Sequence, residues 1–240
     1  MKRTPLSGVD LGVYVKALPL LVRNPSIIVV PLLMGVAAIL IGLVLAPTGG
    51  GLVGYASSGI AGMIVILLEL FGLGAACIIA DDAWRRGRAS FDNGWTEARR
   101  RAGDILFTAL GITFIFAIIG YAGALLGIVV LLLMAVALFF LIWAIPAVAV
   151  GGLGGGEAIQ VSIDRVRANP VSAALTAVVV ALVTFGASAA SAMLTGYVAP
   201  YTGGGLVNGL IGALVQAIAD GYIALIITKT YTDASFTRRW

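Results

Sequence analysis

Histidine is absent from these 240 residues, and cysteine occurs once, as Cys77. The first absence removes the commonest general base, haem ligand and zinc ligand. The second leaves no intrachain disulfide, and Cys77, in an apolar stretch, is read as a packing residue. Charge is scarce too: 11% of residues are Asp, Glu, Lys or Arg, where a soluble domain carries about 25%. Hydrophobic residues make up 60% and the mean hydropathy is +1.08. That composition excludes an ordinary soluble domain; the solvent for most of this chain is lipid.

A bilayer core of about 30 Å requires about 20 apolar residues per helix. The sequence supplies six such stretches, at residues 25–46, 59–80, 105–119, 124–148, 170–194 and 206–228. Threaded back and forth, they place all 15 Lys and Arg on one side. The segments on the other side, 47–58, 120–123 and 195–205, carry no charge of either sign. By the positive-inside rule both termini are cytoplasmic, and the expected location is a prokaryotic cytoplasmic membrane. The predicted fold is all-α: a polytopic membrane protein with six transmembrane helices as three hairpins, with cytoplasmic interfacial helices before spans one, three and five. Met1-Lys2-Arg3 leads into Asp10, Lys16 and Pro19 rather than an apolar run, so no cleaved signal peptide is expected, and no room is left for a separate soluble catalytic domain. The sequence pI near 9.5 is read as topology and anionic-lipid contact, not nucleic-acid binding, because the basic residues flank apolar spans.

Asn24-Pro25, Asp104 and Asn169-Pro170 stand before spans one, three and five. Asx side chains accept orphan helix N–H groups and Pro suits the first helical position, so these are expected to be N-caps. Each follows a stretch of interfacial character. Phe91, Trp95, Ala98, Ala102 and Ile105 recur at helical spacing, and Ile159, Ile163 and Val166 oppose Glu157, Gln160, Asp164 and Arg167. The stretch 9–22 is more apolar and contains Pro19. A belt of aromatics is expected at both borders, with Tyr55, Tyr121, Tyr197 and Tyr201 outside and Trp84, Trp95, Trp143, Tyr231 and Trp240 inside. The pattern divides one membrane domain into repeat units 7–80, 90–148 and 157–228 with a tail at 229–240. The sequence TGGGLV, shared by Thr48–Val53 and Thr202–Val207, favours duplication as a parallel repeat. Small residues at Gly72 and Ala76, at Ala173, Ala177 and Ala181, and at Gly209, Ala213 and Ala217 favour close helix packing.

Of the 11 acidic residues, two, Glu69 and Asp220, fall inside apolar spans. An ionised side chain at the bilayer centre costs about 2.5–3.5 kcal/mol on insertion scales, so such residues face a bundle interior or a wet cavity. No Lys or Arg shares their depth. The available partners are Gln216, one turn from Asp220, and Tyr222, Thr108, Thr113, Thr184, Ser188 and Ser191. Three readings stay open: neutral acids hydrogen-bonded between helices, a proton or cation site, and a polar contact with a lipid or another subunit.

Soluble-enzyme motifs do not fit. Asp81-Asp82 with Arg85, Arg86, Arg88 and Asp92 invites comparison with Mg²⁺-dependent membrane transferases, but the further aspartates at helical spacing are missing. Solvated charges are the plain reading. The run from Gly151 to Gly156 lacks the Lys-Ser or Lys-Thr of a phosphate loop and is read as a flexible joint. With no histidine and no lysine base near any serine, a serine nucleophile has little support.

Pro146-Ala147-Val148, the glycines from 151 to 156, Ala158, Ser162, Val166 and Asn169 resemble a pattern in the membrane domain of glycerophosphoryl diester phosphodiesterases and related prokaryotic multi-pass domains. Gly87, Ser90, Gly94, Ala98 and Arg101 resemble that family's second interfacial helix. Ala149 and Val150 stand where the family often carries an acidic residue. The resemblance implies six spans with cytoplasmic interfacial helices. It implies no catalysis, since the diesterase activity of fused members belongs to a soluble barrel absent from this sequence.

The functional expectation is a non-enzymatic membrane-embedded interaction, scaffold or lipid-handling module without a cofactor or metal. Arg85, Arg86, Arg88, Arg99, Arg100 and Arg101 are its expected contacts with anionic headgroups, a protein partner or a second copy. The alternative is a small proton- or cation-coupled transporter using Glu69, Asp220 and Gln216.

Overall fold

A computed structural model of the chain describes residues 10–44, 52–202 and 205–236, and every regular element among them is an α-helix. In order these are α1 (Gly12–Arg23), α2 (Ser26–Val44), α3 (Leu52–Arg86), α4 (Phe91–Arg100), α5 (Ala102–Leu126), α6 (Val129–Leu141), α7 (Ala144–Ala149), α8 (Gly155–Ala168), α9 (Pro170–Thr202) and α10 (Gly205–Phe236). Six stretches are long and apolar enough to cross a bilayer: Ser26–Val44, Gly59–Arg86, Ala102–Tyr121, Val129–Ala149, Pro170–Pro200 and Gly205–Ala234. The protein is an integral, multi-pass membrane protein. Of the TGGGLV segments, residues 48–51 and 203–204 lie outside the described residues, as do the side chains of Tyr55, Tyr201 and Trp240 from the expected belt.

Helix α3 is the hub. Its 35 residues extend about 50 Å at 1.5 Å per residue, and it packs against α2, α4, α5, α7 and α10. Small residues set those approaches. A Cβ on Gly72 would lie 3.2 Å from Met34, and one on Gly74 would lie 2.9 Å from Ile105. A Cβ on Gly94 would collide with Ile79, so α4 lies directly on α3 through that glycine. The expected small-residue packing is thus used within the chain at Gly72, and again where Ala213 meets Gly35 and Gly209 meets Ile39.

The Asx residues do not cap as the sequence predicts. Asn24 and Asn169 close the preceding helices, α1 and α8, in nearly the same backbone conformation, φ −130° and ψ 67° against φ −135° and ψ 57°. Asn24 Nδ2 donates to the Leu20 carbonyl at 2.9 Å, and its Oδ1 accepts from the Ala89 amide at 2.8 Å. Its side chain therefore ties the α1–α2 joint to the α3–α4 connection instead of to the first turn of α2. Asp104 lies inside the first turn of α5, which begins three residues earlier than the predicted span.

Two further differences concern the middle of the chain. The expected outer turn at 120–123 is helical. α5 continues to Leu126 and the turn falls at Gly127, whose φ of 55° suits glycine. A lipid-facing backbone has no water to take its polar groups, so glycines at 120 and 123 do not end the helix by themselves. The fourth span is also not continuous: it breaks at 142–143 between α6 and α7. Ser162 of α8 seals the break. Its Oγ donates to the Phe140 carbonyl at 2.8 Å and accepts from the Trp143 amide at 3.2 Å. Trp143 is fully buried, and its Nε1 donates to Thr230 Oγ1 at 3.0 Å. It is a core residue rather than part of an interfacial belt, and Tyr231 is buried too. Tyr121 and Tyr197 are exposed.

The buried residues of α8 are Gly155, Ala158, Ser162 and Val166, with Ile159 and Ile163 of the apolar stripe half-buried beside them, because this helix sits close against α5. Thr108 Oγ1 donates to the Gly155 carbonyl at 3.2 Å, and a Cβ on Gly155 would collide with Phe107. The glycine run is close-packed at Gly151 as well, where a Cβ would meet the Ala147 carbonyl and the Tyr231 hydroxyl. Helix α1 runs through Pro19. It buries Val13, Ala17 and Leu21 and leaves Leu11, Val15, Leu18 and Val22 exposed at helical spacing, an apolar stripe suited to lipid.

Overpacking a tight interface costs about 1–3 kcal/mol. Gly94→Ala should therefore destabilise the protein by that order in thermal unfolding in detergent. Gly186→Ala, in α9 where a Cβ meets nothing within 4 Å, should not, because alanine is the better helix former.

Candidate functional site

The two intramembrane acids share one cleft. It has a volume of about 550 Å³ and lies among α2, α3, α9 and α10. Glu69 comes from the middle of α3 and Asp220 from the middle of α10, about 24 Å and 14 Å along their helices from Arg85 and Lys229 at 1.5 Å per residue. Gln216 Nε2 donates to Asp220 Oδ1 at 3.0 Å, the i,i+4 geometry of one helix turn. Glu69 and Asp220 both line the cleft, from facing helices. No Lys or Arg stands among the residues lining the cleft.

The walls come from small side chains. Gly35 and Ala38 of α2, Ser188, Ser191 and Ala192 of α9, and Gly209, Gly212 and Ala213 of α10 leave the space that larger residues would fill. Antiparallel α2 and α10 meet at Gly35–Ala213 and Gly209–Ile39, which sets the depth scale. Asp220 and Pro31 lie at the end nearer the charged face, and Gly209 lies about 16 Å away along α10. The cleft is therefore an apolar-walled groove with a carboxyl-rich floor, running toward the uncharged end of the bundle.

Of the partners the sequence offered, Gln216, Ser188 and Ser191 reach this cleft. Thr108 and Thr113 donate to carbonyls of their own helix at Asp104 and Ala109, and the Tyr222 hydroxyl donates to the Tyr14 carbonyl at 2.8 Å. Ser188 Oγ donates to the Thr184 carbonyl at 2.9 Å.

The arginines divide into two groups. Arg85, Arg86, Arg88, Arg99 and Arg100 are exposed, and the first two pair with Asp81 at 2.9 Å and Asp82 at 3.4 Å, one turn back on α3. Exposed pairs of this kind contribute little to stability. Arg101 is different: its side chain is 25% exposed, it pairs with Glu97, and its Nη1 donates to the Ala149 carbonyl at 3.1 Å. It fastens the α4–α5 joint to the end of α7. Hydrogen bonds from Arg100 and Arg101 hold the Glu97 carboxyl below its ordinary range. Sequence reasoning passed over Arg165 and Lys229, which join Arg85 around one hollow at this end. Lys229 is the one basic residue of α10 and Arg165 stands in α8 beside Arg167, and only the fold places them together.

Leaving a buried polar group without its partner costs about 1–3 kcal/mol. Gln216→Leu should lower thermal stability by that order, while Asp220→Asn, which keeps an acceptor oxygen for Gln216, should cost less. Equal losses in the two variants would show that the pair contributes packing alone.

Comparisons with family models, with curated proteins and with solved structures return no match for this chain.

Proposed function

We propose that this protein is a non-enzymatic, membrane-embedded lipid-handling or interaction module whose ligand site is the cleft holding Glu69, Gln216 and Asp220. The observation that carries this reading is the combination of apolar, small-residue walls with a floor of two carboxyl groups and one amide. Such a groove suits an amphipathic molecule whose apolar body lies along α2, α9 and α10. Its polar end would present hydrogen-bond donors or positive charge to the acids. Ligand sites are commonly concave and mostly apolar, with a few placed polar groups, and intramembrane acids mark functional positions.

A second reading is favoured by one feature of the same cleft, the presence of both Glu69 and Asp220 without a basic residue in the lining. It is a proton- or cation-coupled transporter. Among the described residues no group of three Asp, Glu, Cys or His side chains comes together, so a bare cation would find only two carboxylates and would depend on neutral oxygens for the rest. An amphiphile needs no such shell, which places it first.

The charged end of the bundle is assigned to the cytoplasm, with both termini there, in a prokaryotic cytoplasmic membrane. Exposed Arg85, Arg86, Arg88, Arg99 and Arg100 would meet anionic headgroups or a protein partner, including a second copy. The likeness to the membrane domains of glycerophosphoryl diester phosphodiesterases agrees with a membrane module without its own catalysis.

Native mass spectrometry of protein extracted gently from its own membranes should show a bound small amphiphile. Ser188→Phe, at an exposed position of the cleft wall, should remove it while helix content stays unchanged. Retention of the same adduct by that variant would end the cleft assignment. In sealed liposomes Glu69→Gln with Asp220→Asn separates the two readings: lost ion-coupled flux supports transport, and unchanged flux with altered ligand retention supports lipid handling.

A further inference from the structure

The bundle is solid on one side of the two acids and open on the other. Beyond Asp220, toward the charged face, Ile223, Ala224, Leu225, Ile226, Ile227 and Thr228 of α10 are all buried, and so are Ala75, Ala76, Cys77, Ile79 and Ala80 of α3. Those six residues of α10 make about 9 Å of packed protein along the helix axis. A Cβ on the intervening Gly221 would lie 3.0 Å from Leu21 of α1 and 3.2 Å from Ile28 of α2. Toward the uncharged face, none of residues 59–71 of α3, 188–200 of α9 or 205–216 of α10 is buried.

A polar row crosses the open half. Thr184, Ser188, Ser191 and Thr195 recur on one face of α9, and Asn208, Gly212, Gln216 and Asp220 recur every four residues along α10. The rows are in register: a Cβ on Gly212 would lie 3.2 Å from Ser191 Oγ, so one turn further out Asn208 stands level with Thr195 in this antiparallel pair. From Asp220 to Asn208 the row extends about 18 Å. What it offers is lone pairs. Ser188 and Thr195 donate their hydroxyl protons to the Thr184 and Ser191 carbonyls of their own helix, at 2.9 and 2.8 Å, and Gln216 donates to Asp220. Asn208 Oδ1 is buried without a donor, and no donor among the described residues reaches the Glu69 carboxyl. Acceptors left unpaired in a membrane interior cost about 1–3 kcal/mol each. Water or a cation removes that cost, and a cleft of about 550 Å³ is roomy enough for several waters with polar partners. We infer that water and small cations reach Glu69 and Asp220 from the uncharged face along this row, and that the packed layer bars them from the charged face. The inference rests on the cleft as the ligand site and adds its side of entry and the charge it selects.

Thiol labelling of the full chain in sealed proteoliposomes tests both statements. The native thiol, Cys77, is fully buried, so the wild type should take no tag. A double variant carries Ser191→Cys in the cleft and Arg88→Cys at the exposed charged end. It is treated at pH 8 with the impermeant trimethylammonium-ethyl methanethiosulfonate, supplied outside the vesicles or, in a parallel sample, enclosed within them. The reagent attacks thiolate, so a thiol in hydrocarbon stays unmodified. By intact mass each molecule should take one tag in either sample, and two once detergent opens both faces. Two tags before detergent would mean entry from the charged face, and untagged molecules in either sample would mean a cleft closed to water; both overturn the route. Ser188→Cys, exposed on the same wall, repeats the test if Ser191→Cys does not fold. Corrected for their rates with a free thiol in solution, the cationic reagent should modify Ser191→Cys about tenfold faster than its sulfonate analogue, the order by which a cleft of one sign concentrates counter-ions. Glu69→Gln with Asp220→Asn should bring the two rates together, and equal rates without those changes would overturn the selection of positive charge. A normal tag pattern with no adduct in native mass spectrometry would remove the amphiphile and leave the route standing. An adduct lost with Ser188→Phe, alongside tagging from the charged face, would do the reverse.

Discussion

Backbone polar groups in a bilayer have no water to fall back on, and three irregular points among the described residues are closed by named side chains. Where the fourth span breaks, Ser162 takes the Phe140 carbonyl and supplies the Trp143 amide. Where α1 turns into α2, Asn24 serves the Leu20 carbonyl and the Ala89 amide at once. Where α7 ends, Arg101 reaches the Ala149 carbonyl. An unsatisfied group in hydrocarbon costs several kcal/mol. The short helices α1, α4 and α8 therefore do more than join spans: they and their flanking residues supply the hydrogen bonds that let the long helices bend and stop.

The architecture was legible in the sequence because lipid makes composition decisive. A run of apolar residues of sufficient length has one stable form there, a helix, so the six spans followed from length and hydropathy. Their ends were less legible for the same reason. Gly120 and Gly123 look like turn residues by aqueous rules, yet the helix passes through them and stops at Gly127. The Asn-Pro pairs mark real joints, but as closures of the preceding helix, since Asn24 finds its partners on α1 and on the α3–α4 connection. The break at 142–143 has one local mark, Pro146, which has no N–H for the Ile142 carbonyl four residues back, but what closes it is Ser162, 19 residues after Trp143. Trp143 and Tyr231 looked interfacial by residue type, and burial shows them to be core.

The site was legible in part. Glu69 and Asp220 stand out in any hydropathy scan, and Gln216 follows from helical spacing. The cleft itself was not visible. It exists because Gly35, Gly209, Gly212 and Ala213 are small on facing helices, and small residues read equally well as tight packing. Both outcomes occur along α10. Gly209 and Ala213 touch Ile39 and Gly35 closely, while the space beside them, toward Ser188 and Ala192 of α9, stays open. Asymmetric filling of this kind depends on how α9 leans, which no local pattern encodes.

Charge is distributed along the helix axes in a way that separates two kinds of polar chemistry. The floor of the deep cleft carries carboxyl and amide groups without a cation, whereas at the end of α3, α8 and α10 Arg85, Arg165 and Lys229 gather with their carboxylate partners Asp81 and Asp233. The two lie along the same helices: α10 contributes Asp220 to one and Lys229 to the other, about 14 Å apart along its axis. The carboxyls of the cleft have an amide for company and no cation in the lining, while the cations at the charged end have carboxylates beside them. Ion pairing is thus confined to the end of the helices where charge is cheap, and the apolar depth keeps only groups that can be neutral or hydrogen-bonded.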